Sequence, residues 1–327
     1  MNSHKHPQSW TQRFYIFFTG ICMGAADVVP GVSGGTMAFI MGVYEDLLDG
    51  IHSFNLDLIR HLLARRFCEA LRAVPLQFLA LLGGGIVVAI FSLAQGIKYL
   101  YDHEQVLLFA FFFGLIAASI AVLGRSVPWT RGRAAAVVFG TLAGYVIVTL
   151  TPHHMPQSPL VLFFSGAIAI MAMILPGISG SFLLLILGQY AWVLDQANQI
   201  REALQARDPG LLVQTGLGVL PLALGAVVGL LAFARLLRWI LARWHWGTVA
   251  GLIGFMVGSL RKIWPWREVT RMETLGGKEL ILADRMVLPV WGGGLAAAAG
   301  LALAGFALIF AIESIQRRKP AAQEKAV

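Results

Sequence analysis

FFTGICMGAADVVPGVSGGTMAFIMGVYEDLLD, residues 17–49, returns at an offset of 146 residues as FFSGAIAIMAMILPGISGSFLLLILGQYAWVLD, residues 163–195, with no gap in the pairing. Phe17 matches Phe163, Pro30 matches Pro176, Gly31 matches Gly177, and Ser33, Gly34, Gly42, Tyr44 and Asp49 match Ser179, Gly180, Gly188, Tyr190 and Asp195. Each copy is an apolar run interrupted at its middle by Pro-Gly-Val/Ile-Ser-Gly. Proline removes a donor and clashes with the preceding turn, and glycine is a weak helix former, so each copy is expected to be two half-helices meeting at a break. A weaker echo at an offset of 140 pairs LAQGIKYL with FARLLRWI and GLIAASI with GFMVGSL, so the duplication covers most of the chain.

Of 327 residues, 57% are hydrophobic and 13% charged, and the mean hydropathy is +0.73. A soluble chain is about 25% charged, so bulk water is not the main solvent here. Apolar runs long enough to cross a bilayer recur along the chain. The expected fold is an all-α polytopic membrane protein, a single transmembrane domain over residues 1–327. Repeat one covers 14–150, with a re-entrant hairpin at 14–50, and repeat two covers 160–311, with a hairpin at 160–196. Residues 312–327 form a tail. Three plain spans follow each hairpin, near 75–97, 106–124 and 134–150 and then near 211–234, 247–260 and 287–311. An odd number of crossings between equivalent segments makes the repeats inverted.

The formal charge of +8 does not form a basic stripe, which argues against a nucleic-acid partner. Its distribution follows the positive-inside rule. With the N-terminus in the cytoplasm, segments 60–72, 125–133, 235–243 and the C-terminal tail are basic and cytoplasmic. Segments 98–105, 151–159 and 196–210 then lie outside. Segment 261–285, with six Lys/Arg against four Asp/Glu, is the exception. Cys22 and Cys68 are not expected to form a disulfide, and residues 1–10 do not read as a removable signal peptide.

A helix break at membrane depth leaves half-helix N-termini with unpaired N–H groups and a partial positive charge, which can hold an anion. The candidate phosphate-binding set is Ser33, Gly34, Gly35 and Thr36 in the first break and Ser179, Gly180 and Ser181 in the second. Glycine admits an oxygen close to the backbone, and the hydroxyls add donors. Two such sets converging at a repeat interface are a transporter pattern, although serine hydroxyls also cap their own helices. Asp27 is the one acid within either broken core, with Met173 at the matching position. It could carry a coupling H+ or Na+, or cap the second half-helix. Arg261 could attract a lipid headgroup, beside the interfacial aromatic pair Trp264 and Trp266. His153-His154 lacks a third ligand for a metal. No nucleotide loop or nucleophile elbow is present, so no cofactor and no catalytic residue are expected.

The stretches GAADVVPGVSGGT (24–36) with MGVYE (41–45), ILPGISGSF (174–182) with GQY (188–190), and GSLRKIWPW (258–266) together resemble the polyprenyl-phosphate transporter family. The resemblance runs from about residue 14 to the last span. It implies a multi-pass protein of the bacterial inner membrane, with both termini cytoplasmic, that moves undecaprenyl phosphate or a similar polyprenyl phosphate between leaflets and recycles the lipid carrier of cell-wall synthesis. The residues by themselves reach an anion-handling secondary transporter. A carrier of small ions or organic anions and an intramembrane lipid phosphatase are the competing readings, and the oligomeric state is open.

Overall fold

The computed structural model describes residues 9–318 apart from 30, 153–154, 276–277 and 290. Pro30, the His153-His154 pair and the tail from Lys319 onward lie outside the described residues. Ser9 starts α1 (Trp10–Val28) through a capping box with Gln12. The chain breaks, then forms α2 (Gly34–Ile40) and α3 (Tyr44–His52). Short α4 (Leu56–Leu63) and α5 (Phe67–Ala73) occupy the basic segment that sequence reads as a plain loop. Three long helices follow, α6 (Leu76–His103), α7 (Gln105–Ser126) and α8 (Arg131–Thr149). The second copy is α9 (Pro159–Ile174), α10 (Gly180–Ile186) and α11 (Tyr190–Ala206), then α12 (Pro209–Ser259), a 3-10 turn (Leu260–Ile263), strands β1 (Arg267–Leu275) and β2 (Lys278–Met286), and α13 (Gly293–Arg318).

Among the described residues, five helices are long and apolar enough to cross a membrane: α6, α7, α8, α12 and α13. Large apolar side chains such as Phe91, Phe139, Leu217 and Leu303 stand exposed along them. An apolar surface of this extent needs lipid around it, so the chain is a multi-pass membrane protein.

Backbone angles repeat with the sequence. Gly31 and Gly177 turn the breaks at φ of +91° and +107°, and Gly42 and Gly188 end the short helices at +69° and +68°. Side chains with a Cβ pay about 1–2 kcal/mol for that region. Glu104, between α6 and α7, has φ −130° and ψ 43°, while Trp244, at the offset of 140, kinks α12 with φ −135° and ψ 53°. The first part of α12 thus corresponds to α6 and the part after Trp244 to α7. Helix pairing repeats as well. Gly20 and Gly85 bring α1 against α6 as Gly166 and Gly225 bring α9 against the start of α12. Gly114 and Gly305 seat α7 on α13, as Gly254 and Gly140 seat the end of α12 on α8. Small residues at such crossings let backbones touch where no hydrophobic force separates helix from lipid.

Three boundaries differ from expectation. Residues 235–243 are helix, not loop, because Leu237 and Leu241 are buried at helical spacing while Arg235 and Arg238 share another face; the joint between the two parts of α12 comes just after this segment, at Trp244. Helix α11 runs on to Ala206, and α13 begins at Gly293 rather than 287. The segment between the last spans carries an antiparallel hairpin, with Arg267 opposite Met286 and Leu275 opposite Lys278. Its charged strands lack the apolar alternation that would have announced it, and it is the one departure from an all-helical chain among the described residues.

Candidate functional site

Helix α9 ends at the second break, so its last carbonyls have no partner within the helix. The first break supplies them. Ser33 Oγ donates to Met173 O at 3.0 Å and Tyr44 OH donates to Ile174 O at 3.1 Å. Thr36 Oγ1 accepts from Gly177 N–H at 2.8 Å. Ser33, Thr36 and Tyr44 are all buried. This contact closes because Gly35 has no side chain: a Cβ there would lie 2.6 Å from Met173 O and 2.7 Å from Ile174 O.

The N-terminus of α2 is also fully occupied. Asp27 Oδ1 accepts from Gly34 N–H at 2.7 Å, Ser33 Oγ accepts from Gly35 N–H at 3.1 Å, and Thr36 N–H goes to Ser33 O at 3.0 Å. Asp27 therefore bridges the break from α1 to α2 as a capping carboxylate.

The second copy does not close in the same way. Ser181 stands where the first copy has Gly35, and its Cβ forbids the matching approach of α10 to the end of α1. Ser179 Oγ lies 2.7 Å from Ser181 Oγ instead of capping α10. Ser179 is buried and Ser181 exposed. Among the described residues, the N–H groups of Gly180 and Ser181 and the hydroxyl of Tyr190 have no acceptor or donor partner. So the seven expected residues gather around one junction, with the donors of the first break satisfied internally and those of the second open.

Lys262 lies beside both breaks. A Cβ on Gly31 would meet Lys262 Cγ at 3.2 Å, and Lys262 Nζ stands 4.6 Å from the centre of the Phe182 ring, a cation–π distance. From the hairpin, Asp284 Oδ2 lies 3.5 Å from Lys262 Nζ and 3.0 Å from an Arg267 guanidinium nitrogen. Arg267 also donates to Lys262 O at 2.9 Å and covers the Phe109 ring at 4.1 Å. Burial lowers the pKa of Arg267 and the neighbouring Asp284 raises it. Arg261 lies over Tyr145 at 5.5 Å, beside this cluster. Sequence reading singled out Arg261 and missed Lys262, Arg267 and Asp284; the clue was Lys262 next to Arg261 in the GSLRK segment, but its partner Asp284 is 22 residues away across a hairpin.

At the other end of α2, a cavity of about 330 Å³ opens between Phe39, Tyr44, Trp246, Val249 and Ile309. Glu45 Oε1 and His245 Nε2 share a hydrogen bond at its edge, 2.9 Å apart. A second cavity of about 350 Å³ adjoins this pair and the ion pair of Asp49 with Arg238. No cluster of metal-ligating side chains occurs among the described residues.

Five spanning helices and two broken segments meeting in the protein interior define a multi-pass membrane protein built on a duplicated unit. Residues 23–279 match the model of the VCA0040-like family, described as undecaprenyl phosphate translocase-like, and the chain belongs to that family. It is 38% identical over 276 residues to the polyprenyl-phosphate transporter of Vibrio cholerae, covering 84% of this chain and 85% of that one. It is 29% identical over 260 residues to the polyprenyl-phosphate transporter of Staphylococcus aureus, covering 75% and 84%. No solved structure matches it significantly.

Proposed function

We propose that this protein carries undecaprenyl phosphate or a similar polyprenyl phosphate between the leaflets of the bacterial inner membrane, returning the lipid carrier of cell-wall synthesis for reuse. The headgroup binds at the junction of the breaks, against Ser179, Gly180 and Ser181, with Arg261 drawing it in and the isoprenoid chain left in lipid. The two copies are inverted across the bilayer, both termini are cytoplasmic, and the hairpin β1–β2 lies on the outer side. Gly34 adds the second half of the phosphate site when Asp27 gives up its N–H, while Ser33, Gly35 and Thr36 hold the end of α9 beside it. A proton or Na+ on Asp27 favours that release, because a charged carboxylate beside a phosphate repels it strongly in a low dielectric. Ion and phosphate then bind with positive, reciprocal coupling.

The observation that carries this reading is the asymmetric junction itself: hydroxyls and free backbone donors from the second break beside a closed first break, inside an otherwise apolar protein. The polyprenyl-phosphate transporters it resembles support the choice of lipid. The test is leaflet exchange of labelled undecaprenyl phosphate in vesicles containing the purified protein. Exchange well above that of protein-free vesicles is expected, with no release of inorganic phosphate. Exchange at the protein-free rate sinks the reading, and phosphate release makes the protein a phosphatase.

A further inference from the structure

We propose that Asp284 is a built-in stand-in for substrate phosphate, holding Lys262 and Arg267 beside the open break until a lipid phosphate monoester takes its place and frees β2. The inference rests on the polyprenyl-phosphate reading above and adds to it the cations that meet the headgroup and the element that yields.

Lys262, Arg267 and Asp284 have side chains only 18%, 10% and 16% exposed. Two cations thus share one carboxylate in a nearly closed space, and buried charge is costly unless it is matched. Their hold on Asp284 is unequal. Arg267 is fixed by three contacts, to Asp284, to Lys262 O and to the Phe109 ring. Lys262 reaches the carboxylate only at 3.5 Å, the outer limit of a hydrogen bond, and otherwise faces Phe182, the residue after Ser181.

A phosphate monoester brings about −1.5 to −2 charge and three acceptor oxygens. It balances both cations better than one carboxylate does, and the serine hydroxyls of the second break, on the residues just before Phe182, are further donors near Lys262. Charge-assisted bonds of this kind are the strong ones. An isoprenoid alcohol has no such charge and leaves Asp284 in place. Displaced, Asp284 no longer ties β2 to Lys262, while the hairpin stays attached through Arg267 of β1, which keeps Lys262 O and the Phe109 ring, and through Trp264, whose Nε1 donates to Val287 O at 3.0 Å.

The experiment compares undecaprenyl phosphate, undecaprenol and inorganic phosphate as probes of the protein in lipid nanodiscs. Undecaprenyl phosphate should raise amide hydrogen exchange across residues 278–286 of the wild type, while undecaprenol should not. Millimolar inorganic phosphate should have no effect; if it acts as the lipid does, the ligand is free phosphate and the proposal fails. Lys262→Met should weaken binding of the phosphate lipid tenfold or more and leave undecaprenol binding unchanged. Asp284→Asn removes the competitor and should bind the phosphate lipid several-fold tighter. Should that variant not fold, the exchange measurement on the wild type decides alone. Wild-type binding with no change in hairpin exchange overturns this inference and leaves the functional reading standing, whereas a wild type that does not bind undecaprenyl phosphate overturns both.

Discussion

Ser33 and Ser179 occupy the same position in the two copies, yet their hydroxyls are used differently. Ser33 joins Gly35 N–H to Met173 O inside a closed contact, so Ser33→Ala strands a buried donor and a buried acceptor. The expected cost is about 1–3 kcal/mol of stability, read as a lower midpoint of thermal unfolding in detergent. The Ser179 hydroxyl bonds Ser181 and, among the described residues, no backbone group, so Ser179→Ala should leave that midpoint almost unmoved while weakening binding of the phosphate lipid by about 1 kcal/mol. Equal destabilisation by the two variants would contradict the asymmetric junction. Asp27→Asn keeps an oxygen for Gly34 N–H and loses the charge. It should bind phosphate lipid across a pH series, with or without Na+, without the dependence expected of the wild type. A variant that responds to both as the wild type does would make Asp27 a structural cap and nothing more.

Between elements, α3 is held to α12 by Asp49 with Arg238 and by Glu45 with His245. The positions that correspond to Asp49 and Arg238 are Asp195 and Lys98, and among the described residues these two form no ion pair. Among the described residues these pairs tie one end of the molecule across its copies, and the corresponding positions at the other end carry no such ion pair. Arg238→Gln should loosen the tied end. In a background lacking Cys22 and Cys68, a cysteine at Leu48, which is 1% exposed, should react several-fold faster with a soluble thiol reagent once Arg238 is replaced. Unchanged labelling would mean that the tie does not hold the cavity shut. The broken segments were legible in sequence because Pro-Gly at the centre of an apolar run admits few other outcomes, and the duplication doubled the signal. The helical run of α12 through residues 235–243 was not, since three arginines in nine residues look like a loop until Leu237 and Leu241 are seen to be buried on one side. The partition of the site was hidden for a different reason: whether a hydroxyl caps its own helix or closes another's end depends on how near two backbones come. The Gly35/Ser181 difference that sets this distance has no meaning until the copies are superposed in space.

For the molecule as a whole, the proposed inversion of the two copies predicts residues 151–159 and 125–133 on opposite sides of the membrane. Single cysteines in each segment, probed with an impermeant reagent on intact cells, should label from outside only in 151–159. Labelling of both segments from one side would refute the inversion. The glycine crossings described above have a mechanical consequence. Backbones in direct contact cannot slide without climbing over one another, so α1 with α6, α9 with the first part of α12, α7 with α13 and α8 with the last part of α12 behave as four stiff struts. The chain joins the first strut to the third through Glu104 and the second to the fourth through Trp244, two joints with nearly the same backbone angles. Such a frame concentrates bending at two matched elbows, and any stroke that opens one face while closing the other turns chiefly on those two residues.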